Sequence, residues 1–366
     1  MKKNLFLFIP LLILLFSIAV DRILTLNAFE PYYSKSFSHL NFISKEDLYK
    51  DLKAELQKPS SERSKILVFF GNSRALLLPY SELRKKYPDW MLYNFSVPGG
   101  SPDYFLYWVE RFVSDGVRPD FVLLDQSLEI YNRTPLLALD EVIVYGVSVD
   151  FVLRHLSTYS REEISVFLSK RLFHTFRDRP KLWRVLERLK NDSAEADMYR
   201  NGVHKVLDML EREKGSTPRE LTPLKQAEET IVTMSDSDFS SYLRPYTFYP
   251  DMLSVQTESV RLLQKANIPY ATIWVRVARP YFELYKSRIV DTSEGPKTPY
   301  QVWKPIIDDW NLKTGTALWN MNEDPEYNCD EFADPGHMSP NCFPAFGDYI
   351  FRKLKETEVK GKNQGK

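Results

Sequence analysis

This chain of 366 residues has few glycines, few cysteines and no net charge. It contains 13 glycines, 2 cysteines and 49 residues each of basic and acidic type. A nucleic-acid partner normally needs a basic surface, so the balanced charge argues against one. A metal site needs more ligands than two cysteines provide. What is plentiful is apolar and aromatic material, 43% and 14% of the residues, which is enough to bury a sizeable core.

The sequence also has only one long apolar run and no second run of comparable length. Leu5–Val20 is uncharged over sixteen residues, Lys2 and Lys3 precede it, and Asp21 and Arg22 end it. A polytopic membrane protein is therefore excluded. As a helix, the run would span about 24 Å, slightly less than a hydrocarbon core of ~30 Å.

The apolar run fits two kinds of export signal. A signal anchor would keep the amino end in the cytoplasm, with the positive residues inside. A cleavable signal peptide would be cut after Ser17-Ile18-Ala19, but no polar spacer separates this site from the apolar run, which favours the anchor. We therefore expect a single-pass inner-membrane protein of the cell envelope with a periplasmic domain, or a secreted protein if the signal is cleaved.

Export also decides how the two cysteines are interpreted. Cys329 and Cys342 are close in sequence, and such a pair in an exported protein is expected to form a disulfide. The disulfide would close a loop of 14 residues, for which chain-entropy arithmetic gives about 3 kcal/mol of stabilisation.

Composition and periodicity divide the chain into an N-terminal membrane segment, a stalk, a folded domain and a tail. These parts are predicted at 1–26, 27–64 (with a helix over 44–57), 65–355 and 356–366. A charge-rich, mainly helical insertion at about 140–250 interrupts the domain. We interpret it either as a cap over the carboxyl edge of a sheet or as an arm that binds a partner.

The folded domain alternates short apolar strands with helices. Strands are predicted at 66–70, 91–96, 121–124, 268–277 and 317–321, and helices at 75–86, from Pro102 behind an N-cap at Ser101, at 254–265, 299–309 and 343–355. Continuous apolar strands in this order predict a parallel sheet covered by helices.

Ser73 follows the first strand, in the stretch FFGNSRALLL, and stands just before a predicted helix. Ligands of such sheets bind outside the carboxyl ends of the strands. A helix N-terminus there offers free N–H groups and a partial positive charge to an oxyanion, including the N–H of Ser73 itself. Ser73 is therefore a candidate nucleophile, although an ordinary strand-to-helix turn has the same pattern.

A nucleophilic serine needs a base, and His337 is placed to provide it. His337 lies in ADPGHMSP, after the last strand and before the last helix, so we expect it at the same edge of the sheet as Ser73. Asp334, three residues earlier, is expected to reach the other ring nitrogen and to fix the tautomer. The predicted disulfide flanks this loop and would restrain both residues.

These two motifs resemble the first and last blocks of the SGNH, or GDSL-like, hydrolases. The resemblance rests on Gly71-Asn72-Ser73 and on Asp334-x-x-His337, and it covers residues 65–130 and 255–355. It implies a three-layer α/β/α sandwich, hydrolysis or transfer of acyl esters, and no cofactor. Gly99 or Gly100 is similar to the glycine of the second block, whose N–H helps to form the oxyanion hole.

The chain departs from the SGNH pattern at two places. Asn72 replaces the usual aspartate, and LLDQSLEIYN follows the third strand where the family has Gly-x-Asn-Asp. Gln126, Ser127 or Asn132 would have to substitute for the missing asparagine. Loss of one oxyanion donor costs about 100- to 1000-fold in rate.

The N-terminal segment together with GNSR and DPGHMSP resembles, more narrowly, a bacterial group known mainly as a domain of unknown function. Its better-understood relatives are exported proteins that help to O-acylate cell-surface polymers, as in teichoic-acid D-alanylation and alginate O-acetylation. The resemblance implies an acylated glycan or lipid as substrate and a polytopic membrane acyltransferase as partner. A second interpretation is a weakly active or inactive scaffold for that acyltransferase.

Three further features leave a functional and a structural interpretation open. Arg74 would bind an anionic substrate group or lie as a surface charge on the first helical turn. An aromatic cluster would form a glycan- or lipid-binding lip or pack under the cap; its members are Tyr242, Tyr246, Phe248 and Tyr249. The acidic stretch over 323–331 would hold a cation or be a solvated loop, and we expect the loop.

Overall fold

The computed structural model describes residues 8–33, 37–132, 141–179, 182–191, 194–218 and 225–364. Lys2, Lys3 and the first three residues of the predicted apolar run lie outside them, as do residue 140 and three short stretches of the predicted insertion. The described residues form an α/β protein, as predicted.

Five parallel strands form the central sheet. They are Lys65–Phe70 (β1), Trp90–Asn94 (β2), Phe121–Asp125 (β3), Tyr270–Trp274 (β4) and Leu318–Asn320 (β7). Their order is β2-β1-β3-β4-β7. The chain leaves β1 towards one edge of the sheet and leaves β3 towards the other, so the carboxyl ends of β1 and β3 border the crevice in which such sheets bind ligands.

Two small antiparallel hairpins supplement the sheet. Val290–Thr292 (β5) pairs with Gly295–Lys297 (β6), and Phe332–Asp334 (β8) pairs with His337–Met338 (β9). The second hairpin presents the DPGH sequence as a tight turn.

The part of the chain that is described contains seventeen α-helices besides the sheet. They are Ile9–Leu24, Glu30–Tyr33, Leu40–Ile43, Lys45–Leu56, Ser73–Leu76, Tyr80–Lys86, Pro102–Ser114, Val149–Arg154, Arg161–Leu172, His174–Asp178, Leu182–Asn191, Ala194–Arg212, Glu228–Tyr242, Pro250–Lys265, Arg279–Ser287, Pro299–Thr314 and Phe343–Gln364. Pro102–Ser114 packs on Pro250–Lys265, and Tyr80–Lys86 packs on Phe343–Gln364. The arrangement is compatible with a three-layer sandwich.

Local sequence explains where the helices differ from the prediction. The single helix expected over 75–86 is two helices, because Pro79 has no N–H and disfavours helical backbone at the residue before it. Ser101 precedes its helix as predicted, but its hydroxyl bonds the Asp103 carboxylate instead of capping the backbone. The last helix continues to Gln364, where a polar tail was expected from residue 356.

The N-terminal apolar segment is a helix over Ile9–Leu24, most of whose apolar side chains are exposed. Among the described residues, no single helix has the length and apolar character of a membrane span. This helix and Asn27–Tyr33, bent by 44° at the break between them, satisfy the criteria together.

Part of the segment predicted as a stalk packs on the domain. Leu52 is fully buried, and Tyr49 stacks on Phe112 of the neighbouring helix. Lys45 is also fully buried and donates to the carbonyl oxygens of Asn94 and Gly215, at 2.8 and 2.7 Å. These contacts connect residues 45–56 with both β2 and the insertion.

Candidate active site

Ser73 lies at the carboxyl edge of the sheet, three residues beyond β1, and begins the short helix Ser73–Leu76. His337 lies in the β8–β9 hairpin at the same edge. The Ser73 Oγ to His337 Nε2 distance is 2.8 Å, and His337 Nδ1 is 2.7 Å from Asp334 Oδ1. We call these three residues the triad.

The hydrogen bonds of the triad define the protonation pattern of its histidine. A carboxylate only accepts hydrogen bonds, so Nδ1 carries the proton that faces Asp334. Nε2 is then free to accept the hydroxyl proton of Ser73, as a general base must. The His337 and Asp334 side chains are both 21% exposed, which leaves the site open to a ligand.

The β8–β9 hairpin holds both His337 and Asp334. Asp334 and His337 are paired residues of the hairpin, and Asp334 Oδ1 also accepts the Gly336 N–H at 3.1 Å. Cys329 and Cys342 form the predicted disulfide, with a Cα–Cα distance of 5.6 Å. The disulfide brackets the hairpin in sequence and ties its two ends together.

Asn72 caps the helix that begins at Ser73. Its Oδ1 accepts the Arg74 N–H at 3.0 Å, and its Nδ2 donates to Ser127 Oγ at 3.0 Å. The Ser127 hydroxyl donates in turn to Asp125 at 2.7 Å. Burial raises the pKa of Asp125 to about 6, although the hydrogen bonds from Ser127 favour its charged form. An amide at position 72 both caps and donates, whereas an aspartate there would lose the donor to Ser127.

Two backbone N–H groups beside Ser73 are candidate oxyanion donors. The N–H groups of Ser73 and Gly99 donate to no protein acceptor among the described residues. The Gly100 N–H is occupied, because it donates to the Val97 carbonyl at 3.0 Å. Of the two glycines predicted for this role, Gly99 is therefore the one with a donor to offer.

Gly99 and Gly100 are required for different steric reasons. Gly99 has a φ of 65°, in the left-handed region that favours glycine. A Cβ on Gly100 would lie 2.2 Å from the Gly71 carbonyl oxygen. The turn over residues 71–73 is called the nucleophile turn after the candidate nucleophile Ser73. The loop after β2 can approach it only with glycine at position 100.

Arg74 forms a buried ion pair with Glu129, which follows β3. Its NH1 and NH2 donate to the two carboxylate oxygens at 3.0 and 2.5 Å, and Tyr285 donates its hydroxyl to the same carboxylate. Burial disfavours both charges, yet each partner stabilises the other: the pKa of Arg74 lies well above its usual range and that of Glu129 below. Since Glu129 neutralises the guanidinium, Arg74 does not present a free positive charge to an anion.

Two openings meet at Ser73 and His337. One is a cavity of about 240 Å³, whose walls include Arg74, Ile130, Tyr242 and Tyr281. The other is a groove of about 770 Å³, whose walls include Leu76, Val206 and Met209. Tyr242, Val206 and Met209 belong to the insertion, so the insertion lines both openings.

Gln126, Ser127 and Asn132 do not line the cavity, although the sequence suggested them as oxyanion or substrate ligands. Gln126 is fully buried, and its Oε1 accepts from Gln256 at 3.3 Å. Ser127 bonds Asn72 and Asp125. Asn132 donates to the carbonyl oxygens of Tyr242 and Pro245 and so fixes the end of the insertion. Of the four tentative substrate ligands, Arg74 alone borders the cavity within the described chain.

Sequence reasoning missed several residues at the site. Glu129, Tyr281 and Tyr285 carried no motif, because their roles depend on partners far away in sequence. Asp238 is half-buried on the helix that ends at Tyr242, and its pKa is raised by burial and by the nearby Asp334 charge. In the aromatic cluster, Tyr242 borders the cavity, Tyr246 and Phe248 are buried in the core, and Tyr249 is exposed.

Residues 1–354 match the family described as "Protein of unknown function (DUF1574)". The match covers nearly the whole chain, so the protein belongs to this family. A search of curated proteins gave no significant match.

Proposed function

We propose that this DUF1574 family member is an SGNH-like serine enzyme that transfers an acyl group to a hydroxyl acceptor of a cell-surface glycan or lipid. The observation that carries the proposal is the triad, in which Ser73 and Asp334 contact opposite nitrogens of one imidazole. This arrangement activates a serine towards acyl esters and requires no cofactor.

The first half-reaction forms an acyl-enzyme. Ser73 Oγ attacks the ester carbonyl while His337 Nε2 takes its proton, and Asp334 stabilises the imidazolium. The N–H groups of Ser73 and Gly99 stabilise the oxyanion. When the tetrahedral intermediate collapses, the bond to the leaving alkoxide breaks, and His337 returns the proton to it. Ser73 then carries the acyl group as an ester.

The second half-reaction reverses these steps with a different alcohol. His337 removes a proton from the acceptor hydroxyl, whose oxygen attacks the acyl carbon. The new ester leaves, and the proton returns to Ser73. Water in place of the acceptor would give hydrolysis, with the same atoms of the enzyme taking part.

The two openings at the triad support transfer over hydrolysis. A hydrolase needs an acyl site and access for water, whereas a transferase must also hold an acceptor. The smaller cavity of about 240 Å³ suits an acyl group, and the larger groove walled in part by Ala194–Arg212 suits the acceptor. Apolar side chains such as Leu76, Val206 and Met209 in the groove wall favour an acceptor with an apolar part.

The proposal places the enzyme on the outer side of the membrane, tethered by the N-terminal apolar helix. The resemblance to O-acylation proteins also suggests a polytopic membrane acyltransferase as the partner that supplies the acyl donor. Both statements rest on the apolar segment and on the motifs, and a disulfide-bonded hairpin agrees with export.

A substitution in the groove separates transfer from hydrolysis. The purified full chain is given p-nitrophenyl acetate with and without a simple glycoside acceptor, and p-nitrophenol and acylated glycoside are both measured. Ser73→Ala should abolish both products. Val206→Trp should fill the groove and reduce acylated glycoside at least tenfold while p-nitrophenol release continues. Leu207→Trp is the matched control, because Leu207 lies on the same helix but outside the groove wall.

A scaffold without catalysis is the second candidate function. It is favoured by the absence of a third oxyanion donor from Gln126, Ser127 or Asn132. If a strain with Ser73→Ala keeps normal acylation of its surface polymers while removal of residues 140–250 abolishes it, the scaffold is correct and the enzyme proposal is wrong.

A further inference from the structure

The end of the apolar N-terminal helix is locked onto the insertion by one buried carboxylate. Asp21 is 4% exposed and accepts hydrogen bonds from the backbone N–H groups of His174 and Thr175, both at 2.9 Å. The Thr175 hydroxyl donates to the same carboxylate at 2.6 Å. The neighbouring Arg22 donates to the carbonyl oxygens of Arg171 and Leu172, which end the preceding helix. The apolar helix thus emerges directly beside residues 161–178.

The same part of the insertion exposes a concentration of large apolar side chains. Eleven of the exposed large hydrophobic residues fall between Val149 and Met198, and twelve more lie on residues 8–26. The remainder of the described chain contributes seven, and these are scattered. We use the term apolar face for six of the exposed residues: Leu172, Phe176, Leu182, Trp183, Leu186 and Leu189.

Helix Leu182–Asn191 gives the apolar face its regular pattern. Leu182, Leu186 and Leu189 recur at the spacing of one helical side, and Trp183 adjoins them. Leu186 is 65% exposed and Trp183 is 61% exposed, so neither is used in the protein core. This helix packs on Glu30–Tyr33, just beyond the apolar helix. The apolar face therefore adjoins the segment that is proposed to enter the membrane.

We propose that the apolar face lies in the headgroup and upper acyl region of the lipid bilayer, so that the insertion is a second membrane contact beside the N-terminal helix. Most apolar side chains of the N-terminal helix are also exposed, and hydrogen bonds hold the end of this helix against the same part of the insertion. The bilayer would therefore contact both the helix and the apolar face. A short amphipathic helix with a tryptophan beside its leucines suits this interfacial location. The inference rests on the tether in the proposed function but not on the chemistry of Ser73.

The interfacial contact would also fix the position of the domain relative to the bilayer. With the apolar face embedded at one interface, the domain would be held at a fixed height above the bilayer, with two points of attachment rather than one.

Quenching of tryptophan fluorescence by brominated lipid tests the inference. The full chain is reconstituted into phosphatidylcholine vesicles with and without bromine near the top of the acyl chains. Trp183 is the exposed tryptophan among the described residues: Trp90 is half-buried and the other five are buried. We expect brominated lipid to quench part of the wild-type emission, and Trp183→Phe to lose that quenched part. Leu186→Glu should reduce the quenching of Trp183, with flotation of the vesicles and near-ultraviolet circular dichroism unchanged.

The outcomes separate this inference from the tether. Flotation with quenching that depends on Trp183 supports the inference. Flotation without quenching, or with equal quenching in Trp183→Phe, overturns it and leaves the tether intact. Failure of the full chain to float overturns the tether and the apolar-face contact together. None of these results bears on labelling of Ser73.

Discussion

Ser73 Oγ lies 2.8 Å from His337 Nε2, although 264 positions separate the two residues in sequence. The contact exists because β1 and the hairpin that carries His337 both end at the carboxyl edge of the sheet. Asp334 holds the other nitrogen of the imidazole at 2.7 Å. Several measurable consequences follow from this arrangement and from the residues that support it.

Replacing Asp334 by asparagine should remove most of the reactivity of Ser73 without unfolding the protein. An asparagine fills the same space but allows the wrong histidine tautomer, a change that costs about 10⁴-fold in a serine protease triad. We expect the rate of Ser73 labelling by a fluorophosphonate to fall by about 10³- to 10⁴-fold. Asp330→Asn is the matched control, since Asp330 pairs with Arg276 and does not border the cavity. Equal rates in the two variants would remove Asp334 from the triad.

Gly100→Ala should damage the site, whereas Gly336→Ala should be tolerated. The added Cβ would lie 2.2 Å from the Gly71 carbonyl oxygen at position 100, but 3.6 Å from its nearest neighbour at position 336. The first substitution forces the loop after β2 away from the nucleophile turn. We expect slower labelling and about 1–3 kcal/mol lower unfolding free energy for Gly100→Ala. Urea denaturation and labelling rates of both variants test this prediction. If Gly100→Ala and Gly336→Ala behave alike, the close approach of Gly100 to the Gly71 carbonyl is contradicted.

Breaking the buried Arg74–Glu129 ion pair should lower the free energy of unfolding substantially. In Glu129→Gln the guanidinium stays buried without a carboxylate, and such a loss costs about 3–5 kcal/mol. The exposed pair Glu258–Arg261 provides the control, because Glu258→Gln should change the unfolding free energy by less than about 0.5 kcal/mol. Urea midpoints measure both variants. The double variant Arg74→Met, Glu129→Leu should be more stable than Glu129→Gln, because it removes both charges.

The buried Asp125 should make stability depend on pH. Burial raises its pKa to about 6 in the folded state, against about 3.9 for an unfolded carboxyl. Between these values the folded state binds more protons, so the free energy of unfolding falls as the pH rises from about 4 to 6. A shift of about two units corresponds to at most about 3 kcal/mol.

Asp125→Asn removes this dependence. The free energy of unfolding of the variant minus that of wild type should therefore increase between pH 4 and pH 7. This holds whether the difference is positive or negative at either pH. Urea midpoints at several pH values measure the difference, with the exposed Asp89→Asn as the comparison. A difference between wild type and Asp125→Asn that stays constant with pH would show that the carboxyl titrates normally.

Much of the fold was predictable because its signals are local. The strands of the sheet are continuous apolar runs, and every residue of β1 after Lys65 is fully buried. The break at Pro79 was missed because apolar periodicity continues through the leucines before it. The extension of the last helix beyond residue 355 was missed because the polar composition of residues 356–364 was interpreted as a tail, whereas polar residues also form exposed helix.

Site residues were predictable only where the order of strands and helices along the chain determines their place in the fold. Ser73 follows β1, and the chain reaches the hairpin of His337 after it leaves β7 of the same sheet, so topology brings both residues to one edge. Glu129 could not be assigned, because its pairing with Arg74 depends on how the turn after β3 packs against the nucleophile turn. A cap over the carboxyl edge was one of the two interpretations of the insertion, and Tyr242 belonged to its aromatic cluster, but no pattern in the sequence marks Val206 as part of the groove.

The most direct test of the account is to locate a fluorophosphonate adduct by mass spectrometry in the purified full chain. We predict one adduct on Ser73, no adduct at that peptide in Ser73→Ala, and labelling at least 100-fold slower in His337→Ala. A folded protein that acquires no adduct on Ser73, or that is labelled equally well without His337, would contradict the claim that Ser73 is an activated nucleophile.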